Sequence, residues 1–403
     1  MHRMTRKALA LCALALPSSL LPATTAQAQT APAQIEVPIT YLRQEVELPP
    51  TLSNLDPVPE DLGIVGAEVA LADNATTGGF LGHDYTLDIV SVAPGDDLLA
   101  AAGAALAASG LLLVEAGAPD LLRIADLPAA ADALIFNVAA GDRALRDADC
   151  RANLLHTLPE DAMRTDALMQ VLQAKRFADL VMITGPQPGD ASYAEALRRS
   201  ATKFGLTILA EKPWTFDTDL RRAAPAEVPL FTQDFPDHHI LLIADEADDF
   251  GRYVEHNTWL PRPIAGSEGL EGLGWAPVVE QWGAVQLQNR FEKQAGRDMA
   301  SRDYAAWAAV RAIGEAVTRT NAADPAALRA YMLSDAFALD GFKGRPLTFR
   351  TWNGQLRQPI PVVNARALVQ LAPVEGFLHQ SNELDSLGVD APESTCTAFG
   401  GTP

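Results

Sequence analysis

The chain has 403 residues and carries 51 Asp and Glu against 31 Lys and Arg, a net charge of −20. An acid excess of this size repels nucleic acid and anionic lipid, so neither is an expected partner. The length exceeds what one hydrophobic core normally holds, which predicts two domains.

The N-terminus sets the compartment. Met1–Lys7 contains Arg3, Arg6 and Lys7 and no acid. An apolar run, Ala8–Leu16, continues weakly to Leu21, and Ala26-Gln27-Ala28 supplies an A-x-A cleavage site. That order is a secretory signal peptide over residues 1–28, and its apolar run is too short to span a bilayer as a helix. Cys12 reads as a spare apolar residue within it. The expectation is an exported, periplasmic protein starting near Gln29. Cleavage removes three basic residues and no acid, which takes the net charge to −23. Two cysteines then remain, Cys150 and Cys396, and an even count in an oxidising compartment predicts one disulfide.

Past the Pro- and acid-rich stretch 29–60, with a strand at Ile39–Leu42, apolar spacing predicts a helix over Asp61–Ala75. A strand at Leu87–Val92, an Ala-rich helix at Asp96–Ser109, and strands at Leu111–Val114, Ala133–Phe136 and Leu154–Leu158 follow. A second series repeats the alternation. It has a helix at Asp161–Phe177, a strand at Leu180–Thr184, a helix at Ser192–Phe204, and strands at Leu206–Ala210 and His239–Ile243. Strands alternating with helices of this length make βαβ units and parallel sheets, and two such sets predict an α/β chain with two doubly wound lobes. The last third is helical at Val278–Gln294, Ser301–Thr320 and Pro325–Leu333. Short strands over 345–371 then turn at Trp352-Asn353-Gly354.

Catalytic signatures are missing. The chain has no H-E-x-x-H, C-x-x-C, G-x-S-x-G or Walker A sequence, so an enzyme is not expected. The glycines of Gly269–Gly274 are not in dinucleotide-binding order and read as a surface loop. With two mature cysteines and scattered histidines, neither a metal site nor a cofactor is predicted. His238-His239 adjoins a strand, which sends one ring inward and one outward. Asp245, Glu246, Asp248 and Asp249 follow the strand ending at Ile243. They are either helix-start acids in solvent or ligand contacts at a strand's carboxyl end.

Several strings carry a resemblance. AEVALADNATTGGFLG (67–82) resembles the first helix and glycine turn of branched-chain amino-acid-type, or type I, periplasmic binding proteins. ALIFNVAAGDRALRDADCRANLLHTLP (133–159), DFGRYVEHNTWLPRPIAGSEGL (249–270), EQWGAVQLQNRF (280–291) and GFKGRPLTFRTWNGQLRQPI (341–360) are more specific. Together they resemble the ABC-transporter substrate-binding proteins associated with pyrroloquinoline-quinone-dependent alcohol dehydrogenase systems. The resemblance runs from about residue 37 to the end of the chain.

It implies two Rossmann-like lobes with parallel central sheets, a three-segment hinge and a small-molecule ligand between the lobes. The N-terminal lobe would take 29–159 plus part of 279–345, and the C-terminal lobe 160–278 plus part of 346–371, leaving 372–403 as a tail. An ABC permease in the inner membrane is the implied partner of a monomeric receptor. The alternative is an accessory or sensor protein that binds a quinoprotein dehydrogenase, its cofactor or its metal. One departure stands out. Amino-acid binders of this type place a small hydroxyl residue after the third and fourth strands. Here those positions read Glu115-Ala116-Gly117-Ala118-Pro119 and Asn137-Val138-Ala139-Ala140-Gly141.

The candidate ligand residues follow from strand ends. In the first lobe they are Asn137, Asp142, Arg146 and Arg151. Either arginine can clamp a carboxylate, or pair with Asp142, Asp147 and Asp149 beside it. His156 reads as a core histidine. In the second lobe Asp190 caps a helix or meets ligand, and Asp245 and Glu246 are placed to receive an amine or hydroxyl. Trp259, Trp275 and Trp282 supply either an aromatic floor or inter-lobe packing.

Overall fold

The computed structural model describes residues 34–47, 58–216 and 220–400. The leader expected over residues 1–28 lies outside them. The first passage of the chain is β1 (Ile35–Gln44), α1 (Ile64–Leu81), β2 (His83–Val92), α2 (Leu98–Ala108), β3 (Leu111–Glu115), α3 (Ala118–Ala125), β4 (Leu134–Asn137) and β5 (Leu154–His156). Its strands pair in parallel in the order β2-β1-β3-β4-β5. Every residue of β3, Leu-Leu-Leu-Val-Glu, is buried, as a parallel strand covered on both faces requires. Asp97 starts α2 by accepting hydrogen bonds from the Leu99 and Ala100 N–H groups at 3.1 and 3.0 Å.

The second passage is α4 (Asp161–Ala174), β6 (Asp179–Thr184), α5 (Pro188–Lys203), β7 (Thr207–Pro213), α6 (Leu220–Thr232), β8 (Ile240–Ala244), α7 (Gly251–Val254), β9 (Ile264–Gly266) and β10 (Glu271–Gly272). Here β7-β6-β8-β9 form the second parallel sheet. Gly266 ends β9 with φ +121°, and a Cβ there would lie 2.1 Å from the Ile243 carbonyl oxygen, so only glycine fits. The chain then returns to the first lobe as α8 (Ala284–Ala295), α9 (Ser301–Thr320), α10 (Pro325–Met332), β11 (Leu339–Asp340), β12 (Pro346–Phe349) and β13 (Leu356–Arg357). Finally β14 (Ile360–Asn364) and β15 (Ala367–Ala372) join β10 in an antiparallel sheet beside α4.

Strand periodicity sends alternate side chains to opposite helix layers. Ile39, Tyr41, Leu113 and Phe136 pack under α1 and α9, whereas Leu42, Leu112, Val114 and Ile135 meet α2 and α3. In the second lobe Leu180, Met182 and Leu242 face α4 and α5, and Val181, Ile183 and Ile243 face α6 and α7. Helix α9 is deeply buried along most of its length, with Tyr304, Trp307, Val310, Ile313 and Val317 all at 0% exposure, which explains its apolar length. It lies close against α1 because residue 66 is Gly. A Cβ there would come 2.0 Å from the Asp303 carbonyl oxygen.

Three passages join the lobes, near Thr157–Glu160, Leu273–Ala276 and Gln358–Pro359. Within the 346–371 stretch, β12 and β13 pack in the first lobe's core, and only β14 and β15 belong to the second. The glycines of 269–274, read as a surface loop, instead form β10 and the second passage. Gly272 and Gly274 are buried. A Cβ on Gly272 would meet the Arg164 carbonyl oxygen at 2.4 Å, so the glycines allow close backbone approach.

Two buried basic side chains brace the passages, and burial alone pushes the Lys343 amine well below the usual lysine range. The Lys343 Nζ, 4% exposed, donates to the Gly274 carbonyl, to Gln358 Oε1 at 2.5 Å and to the Pro359 carbonyl at 3.4 Å. Gln358 in turn donates to the Thr157 carbonyl at 2.8 Å, so one cluster reaches all three passages. The Arg146 guanidinium, 0% exposed, donates to the Ala140, Asp142 and Leu158 carbonyls and to Gln355 Oε1 at 2.7 to 3.1 Å. Replacing Lys343 by Met strands these acceptors, and we expect a loss of about 2 kcal/mol, read as a lower denaturant midpoint. An unchanged midpoint contradicts the assignment of Lys343 as the hinge tie.

Candidate functional site

The carboxyl ends of β4 and β8, one from each lobe, come together at the start of α4. The Asp161 N–H donates to the Gly141 carbonyl at 2.9 Å, which joins the loop after β4 to the second lobe. Its carboxyl is pushed up to about 6 by burial, with Arg164 opposing and the Glu246 and Asp142 charges adding to the rise. One group thus feels acids from both lobes.

Arg164, one turn into α4, is the centre of the second lobe's wall. Its guanidinium meets Glu246 in a two-pronged pair at 2.6 and 3.1 Å, Asp161 at 3.3 Å and the Gly272 carbonyl at 3.1 Å. It also lies 4.5 Å over the Tyr193 ring. Ser267 Oγ donates to Glu246 at 2.8 Å and accepts from the Asp245 N–H at 3.0 Å. Burial pushes the Glu246 carboxyl up, but Arg164 and Ser267 outweigh it and hold it below its usual range. Nearby, burial and the Glu268 charge raise the Glu271 carboxyl to about 8.

In the first lobe a second charged group is built at the end of β3. Glu115, 5% exposed, accepts from Tyr41 Oη at 2.7 Å and Arg302 at 3.1 Å, with Arg43 at 3.7 Å. Gly117 then opens α3, whose first turn carries Asp120. A carboxylate with cationic neighbours therefore stands at the carboxyl end of β3.

The residues singled out in the sequence fall into distinct groups. Asp190, Asp245 and Glu246 come together. Asp190 accepts from the Gln187 and Glu246 N–H groups at 2.9 and 2.7 Å, capping α5 and fixing the loop after β8. Asp245 turns its carboxylate into that loop, accepting from the Asp249, Phe250 and Gly251 N–H groups. Asn137 is fully buried and shapes the loop after β4, bonding the Ala139 and Ala140 N–H groups, the Ala140 carbonyl and His156. Arg146 sits beside it and is committed to carbonyls and Gln355, while Asp142 is half-buried at the seam.

The remaining candidates lie apart. Arg151 pairs with Asp126 at 2.6 Å, away from this group. Trp259, 58% exposed, is tied through its N–H to Thr232 of α6. Trp282, 43% exposed and with φ +55°, covers Gly344 and borders a small apolar recess with Trp275, Phe342, Pro361 and Leu371. Trp275 is buried and stacks on Tyr304 at 4.8 Å. Sequence reasoning missed Arg164, Asp161 and Ser267. The Asp161-x-x-Arg164 spacing at a helix start was the available signal, because i and i+3 share a face. Among the described residues no group of His, Cys, Asp and Glu is arranged to hold a metal ion.

No protein-family model matches the chain, and no curated protein matches it. Solved structures do. A branched-chain amino-acid ABC transporter periplasmic ligand-binding protein from Burkholderia xenovorans is 15% identical, with a TM-score of 0.69 over 90% of this chain and 100% of that one. A leucine-, isoleucine-, valine-, threonine- and alanine-binding protein from Brucella ovis, in its closed conformation, is 12% identical with a TM-score of 0.62, covering 84% and 92%. An ABC transporter solute-binding protein from R. palustris, in complex with benzoate, is 13% identical with a TM-score of 0.62, covering 90% and 99%. The two parallel-sheet lobes of this chain have the fold of the type I periplasmic binding proteins.

Proposed function

We propose that the protein is the solute-binding component of an ABC transporter, exported to the periplasm, which holds a small organic solute between its lobes. The observation that carries this reading is the meeting of the two strand ends at Asp161. Open α/β sheets bind ligands beyond the carboxyl ends of their strands. Here Gly141 and Asp142 from one lobe and Glu246 and Ser267 from the other converge on one seam. The fold shared with amino-acid and benzoate receptors supports the same assignment. The basic, apolar and A-x-A order of residues 1–28 supports export, and a permease is the partner that such a receptor serves.

Within that reading, Glu246, Arg164 and Asp161 form the ligand-facing wall of the second lobe, and Glu115 with Arg302 that of the first. Asn137, Arg146, Asp190 and Asp245 position the loops that carry this wall. The strings at 133–159, 249–270, 280–291 and 341–360 support a place in periplasmic alcohol oxidation, with an alcohol-derived or aromatic solute as cargo. No reacting set of nucleophile and base belongs to this assignment, and the protein is not an enzyme in it.

A thermal-shift panel on protein starting at Gln29 tests the reading. It contains amino acids, short alcohols with their aldehydes and acids, aromatic acids, pyrroloquinoline quinone and calcium. A solute at about 100 times its Kd adds roughly 2.7 kcal/mol and visibly raises the midpoint. A silent panel, after removal of any copurified molecule, overturns the receptor assignment. A response to the quinone or metal alone moves the protein to an accessory role. Glu246→Gln should weaken binding of the responding solute at least tenfold.

The acid wall also sets a pH dependence. Glu271 has a carboxyl raised to about 8 from its ordinary 4.5, so the folded protein keeps a proton that the unfolded chain releases. The stability it contributes is complete below about pH 4.5 and is lost as pH rises through about 8. Glu271→Gln should flatten that decline in a series of melting temperatures, and an unaltered slope contradicts the assignment.

A further inference from the structure

We propose that the C-terminal tail is a fourth crossing between the lobes, locked by a Cys150–Cys396 disulfide, that limits how far the lobes can open. The tail is first bound to the second lobe. The Val374 N–H donates to Gln170 of α4 at 2.9 Å, and Phe377 meets Phe204 edge-on at 5.6 Å. Gly388 donates to Asp166 at 2.8 Å, Lys203 donates to the Gly388 carbonyl at 3.1 Å, and Arg199 holds Glu393 at 2.8 Å.

Two residues later the tail is bound to the first lobe. The Thr395 N–H and hydroxyl both donate to Asp147 at 2.6 Å. Cys396 is joined to Cys150, with Cα atoms 5.7 Å apart and 246 residues between them in sequence. Phe399 lies against Gly354 and under the Arg329 guanidinium of α10, 5.2 Å from its ring. Only Ser394 separates Glu393, held by Arg199 of the second lobe, from Thr395, held by Asp147 of the first, so this stretch of the link has almost no slack. An extended residue spans at most about 3.6 Å.

The tail also runs along the hinge itself. Its Leu384, Leu387 and Val389 carbonyls and the Asp385 carboxylate accept from the fully buried Arg350, beside the third passage. The Val389 N–H donates to Glu160, in the first passage, at 2.8 Å. Three passages with no other restraint allow hinge closure and wide opening alike. A short fourth link bound at both ends removes the widest states and leaves closure free. The bond makes the first-lobe anchor covalent, so the tail stays attached there even when the Thr395–Asp147 hydrogen bonds open.

The test needs no solute, so it stands or falls separately from the receptor assignment. Spin labels on Ala107→Cys of α2 and Glu195→Cys of α5, both exposed, report the inter-lobe distance by pulsed electron resonance. With the bond intact we expect one narrow distribution. In the Cys150→Ser/Cys396→Ser background it should broaden toward longer distances. A second arm adds a thiol reductant to folded protein without the labels, confirms opening of the bond by alkylation and mass, and follows the radius of gyration by X-ray scattering. An increase is expected. If the double variant does not fold, the reductant arm decides. Unchanged distances and an unchanged radius after verified reduction overturn the proposal.

Discussion

A chain that passes three times between two lobes must bury peptide groups at each passage, and every buried carbonyl or N–H needs a partner. Backbone carbonyls and Ser301 accept from some of the passage N–H groups, but sheet and helix pairing leaves passage carbonyls without donors. The protein supplies those donors with long basic side chains. Lys343 reaches the second and third passages directly and the first through Gln358. Arg146 bonds the first passage and the loop after β4, and its partner Gln355 donates to the His156 and Leu158 carbonyls of the same stretch. Burial pulls the Arg146 guanidinium down to about 10, still far above neutrality, so it remains a donor throughout. A cation with several carbonyl acceptors replaces its lost water without a carboxylate partner. The register of the lobes, and therefore the cleft, depends on these clusters.

The cleft inherits its character from this arrangement. Arg164 lies in the first turn of the helix that follows the first passage, so any change in the hinge moves the group that faces Glu246. Its bidentate pair, its contact with Tyr193 and its bond to the Gly272 carbonyl hold it from three sides. In the first lobe Glu115 is likewise enclosed by Tyr41 and Arg302. Each wall therefore presents charge that is already balanced. In the proposed receptor role, an entering solute has to match these groups in shape and hydrogen bonding, since each group described is already paired.

Much of the fold was legible in the sequence. The alternation of apolar runs with helical spacing gave both parallel sheets, and Ser301–Thr320 matched α9 end for end because its buried face is so wide. Helix α6 went unread because Pro225 and Pro229 lie inside it. Tertiary packing of Ala224 and Val228 against the second sheet sustains it where propensity would not. The glycines of 269–274 were misplaced for the converse reason. Composition marks a turn, but only the neighbouring backbone of Arg164 reveals a close approach. At the site, strand ends pointed to Asp245 and Glu246. Arg164 had one local signal, its spacing from Asp161, but its main partner Glu246 lies 82 residues away, and no local pattern announces that pair.

The central claim is that a small organic solute occupies the seam between Asp161, Arg164 and Glu246. Native mass spectrometry of protein purified from periplasm without dialysis tests it most directly. The account predicts one small molecule per chain on the wild-type protein. That molecule should be absent from a folded Arg164→Ala/Glu246→Ala variant isolated in the same way. Equal occupancy in the two proteins would contradict the claim, because the bound molecule would then lie elsewhere.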